Sequence, residues 1–243
     1  MYEIGTGPAV IVIHEVPGIT PLVAGFGRRV ADAGMTAVLP SLFGEPGRPI
    51  SVPYATRVIL RNCVAREFAT FALDRTSPVT GWLRALARDA HARCGGPGVG
   101  AVGMCFTGGF ALGMMVDDTM LAPVLSQPSL PFPMGASRKS AVGVSDADFE
   151  RVKERAAQGA CVLGLRFSAD IAVPAERFET LRRALGDAFV AVEIDSSPGN
   201  AYGIKRRAHS VLTEDLVDEP GHPTRAALER VIEFLRERLA VTP

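Results

Sequence analysis

The apolar residues of the chain fall into short runs separated by amphipathic segments. Ala9–Ile13 is a β-branched run with no polar alternation, a pattern typical of a strand that helices cover on both faces. Apolar residues at helical spacing follow over 21–33, and a second short apolar run occupies 36–40. This order predicts a βαβ unit with parallel strands and a right-handed crossover.

The same alternation continues to the end of the chain. Two proline-rich segments, 41–54 and 126–144, are predicted as loops. About six strands alternate with helices and no composition shift marks a linker, so we predict one α/β domain over 1–243, with a doubly wound, mostly parallel sheet and helices on both faces. The remaining predicted strands are 99–104, 120–125, 160–167 and 187–194, and the remaining helices are 56–73, 78–93, one opening at Ser145, 175–185 and 224–240.

Composition narrows the function to small-molecule chemistry. Basic and acidic side chains balance at 26 each, which gives no support for a nucleic-acid or membrane-surface partner. No run approaches the roughly 20 apolar residues that span a bilayer, and the first residues lack a signal-peptide pattern, so we expect a cytoplasmic protein. No cofactor is expected, and nothing in the sequence sets the oligomeric state. The four scattered cysteines predict reduced thiols without a disulfide framework or a metal site: Cys63, Cys94, Cys105 and Cys161.

One glycine-rich stretch has two possible interpretations. Residues 98–103 match the dinucleotide-binding pattern G-x-G-x-x-G, and Asp117 and Asp118 follow at about the distance of a ribose-binding acid. That pattern belongs between a strand and a helix. Here the apolar strand falls inside the pattern and no apolar run precedes it, so the sequence disfavours a nucleotide-dependent oxidoreductase.

The end of this stretch is better explained as a nucleophile elbow, the strand-to-helix turn usually written G-x-S-x-G. In 103–107 cysteine takes the nucleophile's place, and Thr107 stands where the second glycine is usual. The free N–H groups at the start of the following helix favour a thiolate, which is a stronger nucleophile than a serine hydroxyl. A packing role is the alternative for Cys105, and it is the role that we assign to the other three cysteines.

Four short segments are spread over nearly the whole chain: 14–18 (HEVPG), 103–109 (GMCFTGG), 170–174 (DIAVP) and 208–210 (AHS). With these segments the chain resembles the dienelactone hydrolases, a family of α/β-hydrolases with a Cys-Asp-His triad. They place nucleophile, acid and base in the order usual for α/β-hydrolases. The resemblance implies an α/β-hydrolase fold and the hydrolysis of a small ester or lactone through an acyl-enzyme.

The resemblance gives three residues a catalytic task. Cys105 would attack the carbonyl, His209 would hold or receive its proton, and Asp170 would orient His209 and stabilise the imidazolium. A loop or helix-capping role is the alternative for Asp170. A solvated loop histidine is the alternative for His209, in which case His222 takes the role of the base.

The loop after the first long strand supplies further candidates. An oxyanion hole is expected from the backbone N–H groups of Val16 and Phe106, because Pro17 has no N–H to donate. Glu15 matches a family glutamate that lies against the nucleophile and controls its ionisation; a solvated turn is the alternative. A gating role of this kind predicts faster alkylation of Cys105 in the Glu15→Gln variant.

Two departures from the family pattern affect the expected substrate. Thr107 adds a side chain to the elbow, and Thr213 stands four residues after the histidine, where the family has an arginine that binds the substrate carboxylate. Four arginines could replace it, so dienelactone itself is doubtful as the substrate. A non-catalytic ligand-binding protein of the same fold is the alternative function. The arginines are Arg57, Arg61, Arg206 and Arg207.

Overall fold

A computed structural model describes residues 1–63 and 77–241 of the chain. Seven strands form one sheet in the order β1-β3-β2-β4-β5-β6-β7. β1 pairs with β3 antiparallel, and every other neighbouring pair is parallel. The predicted mostly parallel sheet is therefore confirmed. The strands are β1 Tyr2–Ile4, β2 Ala9–Ile13, β3 Thr36–Leu39, β4 Val99–Met104, β5 Met120–Ser126, β6 Val162–Phe167 and β7 Phe189–Ile194.

A serine or threonine caps the N-terminus of three long helices, and a proline or an acidic residue follows the cap. Thr20, Ser77 and Ser145 each accept a hydrogen bond from a backbone N–H in the first turn of the helix they open. The described helices are α1 Pro21–Asp32, α2 Val52–Cys63, α3 Pro78–Cys94, α4 Phe110–Met114, α5 Ala136–Ser140, α6 Asp146–Ala157, α7 Ala175–Leu185 and α8 Pro223–Arg238, with 3₁₀ turns at Cys105–Thr107 and Gly186–Ala188.

The helices cover both faces of the sheet. Phe110 of α4 and Phe178 of α7 are buried in the core on one face, whereas Phe26 of α1 and Phe234 of α8 are buried in the core on the other. Alternate residues of β2 enter the two cores, as the period-2 side-chain alternation of a strand requires. This arrangement confirms the doubly wound α/β architecture.

Four details differ from the sequence-based predictions. β1 was not predicted, because it is short and exposed and pairs only at the sheet edge. Helix α2 begins at Val52 rather than at Thr56, and the predicted continuation to residue 73 lies outside the described residues. The proline-rich segment 126–144 contains the short helix α5. The helix expected directly after Cys105 is divided into a 3₁₀ turn and the five-residue α4.

The parallel strands bring distant residues to one edge of the sheet. Ile13 of β2 is in register with Gly103 of β4, and Met104 of β4 is in register with Ser126 of β5. The loops after β2, β4, β5 and β6 therefore leave the sheet side by side, which is where α/β sheets bind ligands. Within the described ranges no helix is both long and apolar enough to cross a membrane.

Candidate active site

Cys105 occupies a strained turn directly after β4. Its φ of 53° lies in the left-handed region, which non-glycine residues rarely adopt. The turn is closely packed, since a Cβ at Gly103 would lie 2.5 Å from the Thr107 carbonyl oxygen and one at Gly108 would lie 2.6 Å from the Pro128 Cα. These contacts explain the two glycines on either side of the cysteine, and they give the turn the geometry of a nucleophile elbow.

Thr107, the departure from the elbow pattern, has a structural role. Its side chain is fully buried, and its hydroxyl accepts a hydrogen bond from the Met104 N–H at 3.1 Å. The same hydroxyl lies 2.9 Å from the Ile13 carbonyl oxygen, to which it can donate. Thr107 thus connects the end of β2 to the elbow, and its side chain is directed into the protein rather than toward solvent.

His209 lies between Asp170 and Cys105. Its Nδ1 is 2.6 Å from the Asp170 Oδ2, and the Cys105 sulfur lies close enough to the ring to raise its pKa. The engagement of Nδ1 leaves Nε2 to face the sulfur. The structure therefore brings together the three side chains that the sequence analysis selected from the loops after β4, β6 and β7.

The charge on the His209 ring is set by its two partners. Burial alone would lower the pKa of His209, but the negative charge and hydrogen bond of the Cys105 sulfur, together with the Asp170 carboxylate, raise it to about 11. The ring is thus held as an imidazolium at neutral pH. An imidazolium beside a thiolate is the charge state that nucleophilic attack by cysteine requires.

The alternative roles for Asp170 and His222 can be compared directly. Asp170 caps no helix: α7 begins after Pro174, and the free Asp170 oxygen accepts from the Ala172 N–H at 2.9 Å. His222 is itself a helix cap, because its ring accepts from the Thr224 N–H at the start of α8 and lies edge-on to the ring of Tyr202. His222 is thus a structural residue in this fold.

The loop that carries His209 has no helix or strand between Ile194 and Pro223. The Asp215 carboxylate accepts hydrogen bonds from the N–H groups of His209 at 2.7 Å and Ser210 at 3.0 Å. These bonds fix the backbone on which the imidazole is mounted. Asp215 was not selected in the sequence analysis, because an aspartate in a polar loop carries no distinguishing pattern.

Glu15 is fully buried beside this loop. Its carboxylate accepts hydrogen bonds from Ser210 Oγ at 2.7 Å, from Thr213 Oγ1, and from Gln127 Nε2 at 3.3 Å. Burial raises the pKa of Glu15, and the Thr213 and Ser210 hydroxyls, the charge of His209 and the Gln127 amide oppose that rise. The solvated-turn interpretation of Glu15 is therefore wrong, and Thr213 serves as a donor to Glu15.

The oxyanion candidates occupy matching positions on neighbouring loops. Ile13 of β2 and Gly103 of β4 are in register in the sheet. Val16 lies three residues after Ile13, and Phe106 lies three residues after Gly103. The adjacent His14 is buried and neutral: burial lowers its pKa to about 4, and its Nε2 accepts from the Leu42 N–H. This hydrogen bond holds the loop after β3, which carries Leu42, against the end of β2.

A cavity of about 560 Å³ lies next to the elbow. Phe43 lines the cavity, and its ring lies edge-on to Phe106 of the elbow with centroids 6.1 Å apart. Arg57 and Arg61 line this cavity, as does Arg48, which is paired with Glu45. By contrast, Arg206 and Arg207 lie on an exposed turn.

The remaining cysteines have other surroundings. Cys94 and Cys161 are free thiols and only partly buried, and the Arg238 guanidinium contacts the Cys161 sulfur. The side chain of Cys63 lies outside the described residues.

The glycine pattern 98–103 lies almost wholly on β4, so its backbone is in the sheet ladder and cannot form a phosphate-binding loop. Asp117 and Asp118 are instead paired with Arg88 and Arg151.

Comparison with solved structures agrees with this fold. A structure designated a dienelactone hydrolase from Klebsiella pneumoniae subsp. pneumoniae is 20% identical, with a TM-score of 0.60 over 98% of this chain and 88% of the other. A dienelactone hydrolase-like promiscuous phosphotriesterase from metagenomic libraries is 17% identical, with a TM-score of 0.62 over 96% and 87%. At these identities the likeness establishes the fold.

Family membership comes from the sequence itself. No protein of curated function is significantly similar to the chain. The model of the dienelactone hydrolase family, in contrast, matches residues 3–239, which is nearly the whole chain. The chain therefore belongs to the dienelactone hydrolase family, whose members are hydrolases.

Proposed function

We propose that this protein hydrolyses small carboxylic esters or lactones, with Cys105 as nucleophile, His209 as general acid and base, and Asp170 as the residue that orients His209. The observation that carries the proposal is the position of the His209 ring, which hydrogen-bonds the Asp170 carboxylate and lies close enough to the Cys105 sulfur for the sulfur to raise the pKa of the ring. Nucleophile, base and orienting acid in hydrogen-bonding contact are the arrangement that acyl transfer requires.

The reaction begins with attack of the Cys105 thiolate on the ester carbonyl carbon. The carbonyl π electrons move to oxygen, and the N–H groups of Val16 and Phe106 stabilise the resulting oxyanion. The His209 imidazolium then transfers its Nε2 proton to the leaving alkoxide oxygen as the carbon–oxygen bond breaks. The products of this half-reaction are an alcohol, or the opened end of a lactone, and a Cys105 thioester.

Hydrolysis of the thioester restores the enzyme. His209, now neutral, removes a proton from water as the water attacks the thioester carbonyl, and the collapse of the second tetrahedral intermediate expels the Cys105 thiolate. Asp170 keeps Nδ1 protonated throughout, so that Nε2 is the nitrogen that exchanges protons. The acid leaves and the ion pair re-forms.

The cavity beside Phe43 supports a small substrate with an anionic or strongly polar substituent. Arg57 and Arg61 line it, and among the described residues neither makes an ion pair. Thr213 hydrogen-bonds Glu15, so it cannot replace the arginine that binds the substrate carboxylate in the family. The acid group of a substrate would therefore bind on the α2 side of the site.

A chromogenic short-chain ester tests the proposal. We expect the Cys105→Ala variant to lose at least about 10³-fold in kcat/KM, because without its nucleophile the acyl-enzyme cannot form. Cys161→Ala is the matched control and should retain wild-type activity. Mass spectrometry of the wild type quenched during turnover should show the acyl group on Cys105. Equal rates for wild type and Cys105→Ala would exclude this mechanism and favour a non-catalytic ligand-binding protein.

A further inference from the structure

We propose that Ser129 is a further catalytic residue, whose hydroxyl donates a hydrogen bond to the Cys105 thiolate. The Ser129 Oγ lies 3.6 Å from the Cys105 Sγ, and the Ser129 N–H donates to the Cys105 carbonyl oxygen at 3.0 Å. Ser129 therefore contacts both the side chain and the backbone of the residue proposed as nucleophile. The inference rests on that proposed role of Cys105.

The direction of the hydrogen bond follows from His209. The ring is held as an imidazolium, and Asp170 engages its Nδ1, so the remaining N–H is presented to the nearby Cys105 sulfur and the sulfur acts as an acceptor. The Ser129 hydroxyl is almost fully buried and has no other hydrogen-bond partner among the described residues. Its proton is therefore available to the sulfur, which places a second donor on the thiolate besides the imidazolium.

The loop that carries Ser129 is fixed on both sides of the residue. Arg177 is 1% exposed, and its guanidinium donates to the carbonyl oxygens of Pro128 and Pro131, each at 2.5 Å. Pro128 in turn packs against Gly108 of the elbow, where no Cβ would fit. A buried guanidinium that binds the carbonyls flanking one serine leaves that serine little freedom to turn away from the sulfur. Arg177 is thus a positioning residue for Ser129.

Loss of a hydrogen-bond donor to the thiolate should change the pH profile of Cys105 alkylation. Without it the thiolate is less stable, so the acid-side midpoint for its formation should rise by about one pH unit. Above that midpoint the more basic thiolate should react about threefold faster, because thiolate nucleophilicity increases with basicity. The profiles of variant and wild type should therefore cross. A residue that only supports the fold would produce no crossing.

The experiment measures alkylation of Cys105 by iodoacetamide between pH 4 and 9, followed by mass spectrometry of the Cys105 peptide. Wild type is compared with Ser129→Ala, and thiolate absorbance near 240 nm gives the acid-side midpoint independently. Ser77→Ala is the matched control, because Ser77 is equally buried but its hydroxyl accepts from the Val79 N–H instead of contacting the sulfur. We expect crossing profiles for Ser129→Ala and none for the control.

Two further variants separate the hydroxyl from packing. Ser129→Thr keeps the hydroxyl and Ser129→Val has the same shape without it, so the threonine variant should follow wild type and the valine variant should show the shifted midpoint. Coincident midpoints for threonine and valine would overturn the proposal, as would parallel profiles for wild type and Ser129→Ala. The alkylation and absorbance measurements need no ester substrate. If the midpoint shifts in Ser129→Ala but the wild type hydrolyses no ester, the result contradicts the proposed function and leaves the role of Ser129 supported.

Discussion

The elbow and the His209 loop hold Cys105 and His209, the two groups proposed to react, by different physical means. The elbow is held by close packing, a strained backbone at Cys105 and the buried hydroxyl of Thr107. The His209 loop has no regular secondary structure and is held by three carboxylates, those of Asp170, Asp215 and Glu15. The elbow should therefore respond to loss of its close packing and buried hydrogen bonds, and its stability should be insensitive to pH. The loop should respond to charge removal and depend on pH.

The largest expected effect comes from the carboxylate that bonds the imidazole. Asp170→Asn should lower kcat/KM about 10³-fold, because an asparagine favours the wrong ring tautomer and gives the imidazolium no charge partner. Its remaining side-chain oxygen can still accept from the Ala172 N–H, so the thermal midpoint should stay near that of wild type. Ester hydrolysis kinetics and a melting curve together test this, and a loss of less than tenfold would contradict it.

The elbow should respond most strongly to loss of the Thr107 hydroxyl. Thr107→Val leaves the Met104 N–H and the Ile13 carbonyl without their buried partner, which should cost about 2 kcal/mol of unfolding free energy. Thr107→Ser keeps the hydroxyl and should lose less. Urea denaturation at pH 6 and pH 8 measures both, and a loss that changes with pH would break the comparison between the two regions.

A smaller effect is expected where a carboxylate holds only the backbone. Asp215→Asn should lower kcat about tenfold, since it weakens the charge-assisted bonds that fix the His209 and Ser210 N–H groups. Asp218→Asn is the control, because Asp218 lies on the same loop as Asp215 but is exposed and pairs with Arg29 of α1 instead of with the loop backbone. Steady-state kinetics that give the same kcat for both variants would show that Asp215 does not position the imidazole.

The smallest effect is the pH dependence contributed by Glu15. Burial raises its pKa above 4.5 in the folded state, so the folded state retains the proton to higher pH than the unfolded state does. That contribution to stability is present below pH 4.5 and is lost as pH rises through the folded-state pKa. Glu15→Gln cannot ionise, so its unfolding free energy relative to wild type should increase as pH is raised from about 4.5 to 8. Denaturation series at several pH values give the difference.

The same variant tests the gating hypothesis. At a pH above the folded-state pKa of Glu15, where its carboxylate is charged, loss of that charge beside His209 should increase the rate of Cys105 alkylation by about threefold. Glu15→Asp is a suitable control because it keeps the charge. An unchanged rate with a changed stability profile would assign Glu15 to holding the His209 loop alone.

The two regions also differ in how far the sequence predicts them. The elbow could be predicted because its constraints lie within a few residues: a strand, Gly103, Cys105 and a following apolar helix. The His209 loop could be placed only by resemblance, because its fixing contacts connect residues far apart in sequence. Glu15 and Ser210, for instance, are 195 positions apart. Ser129 had no local pattern at all, since a serine among prolines is typical of any loop.

The sequence by itself determined the alternation of strands and helices, the doubly wound class and the position of the elbow at Cys105, because hydrophobic period and turn chemistry are local properties of the chain. The tertiary structure decided which histidine faces the sulfur, since His209 meets Asp170 while His222 caps α8. It also decided that Thr107 is a structural contact and that Ser129 lies against the Cys105 sulfur. Those outcomes depend on which loops meet at the carboxyl edge of the sheet, and only the packed fold specifies that.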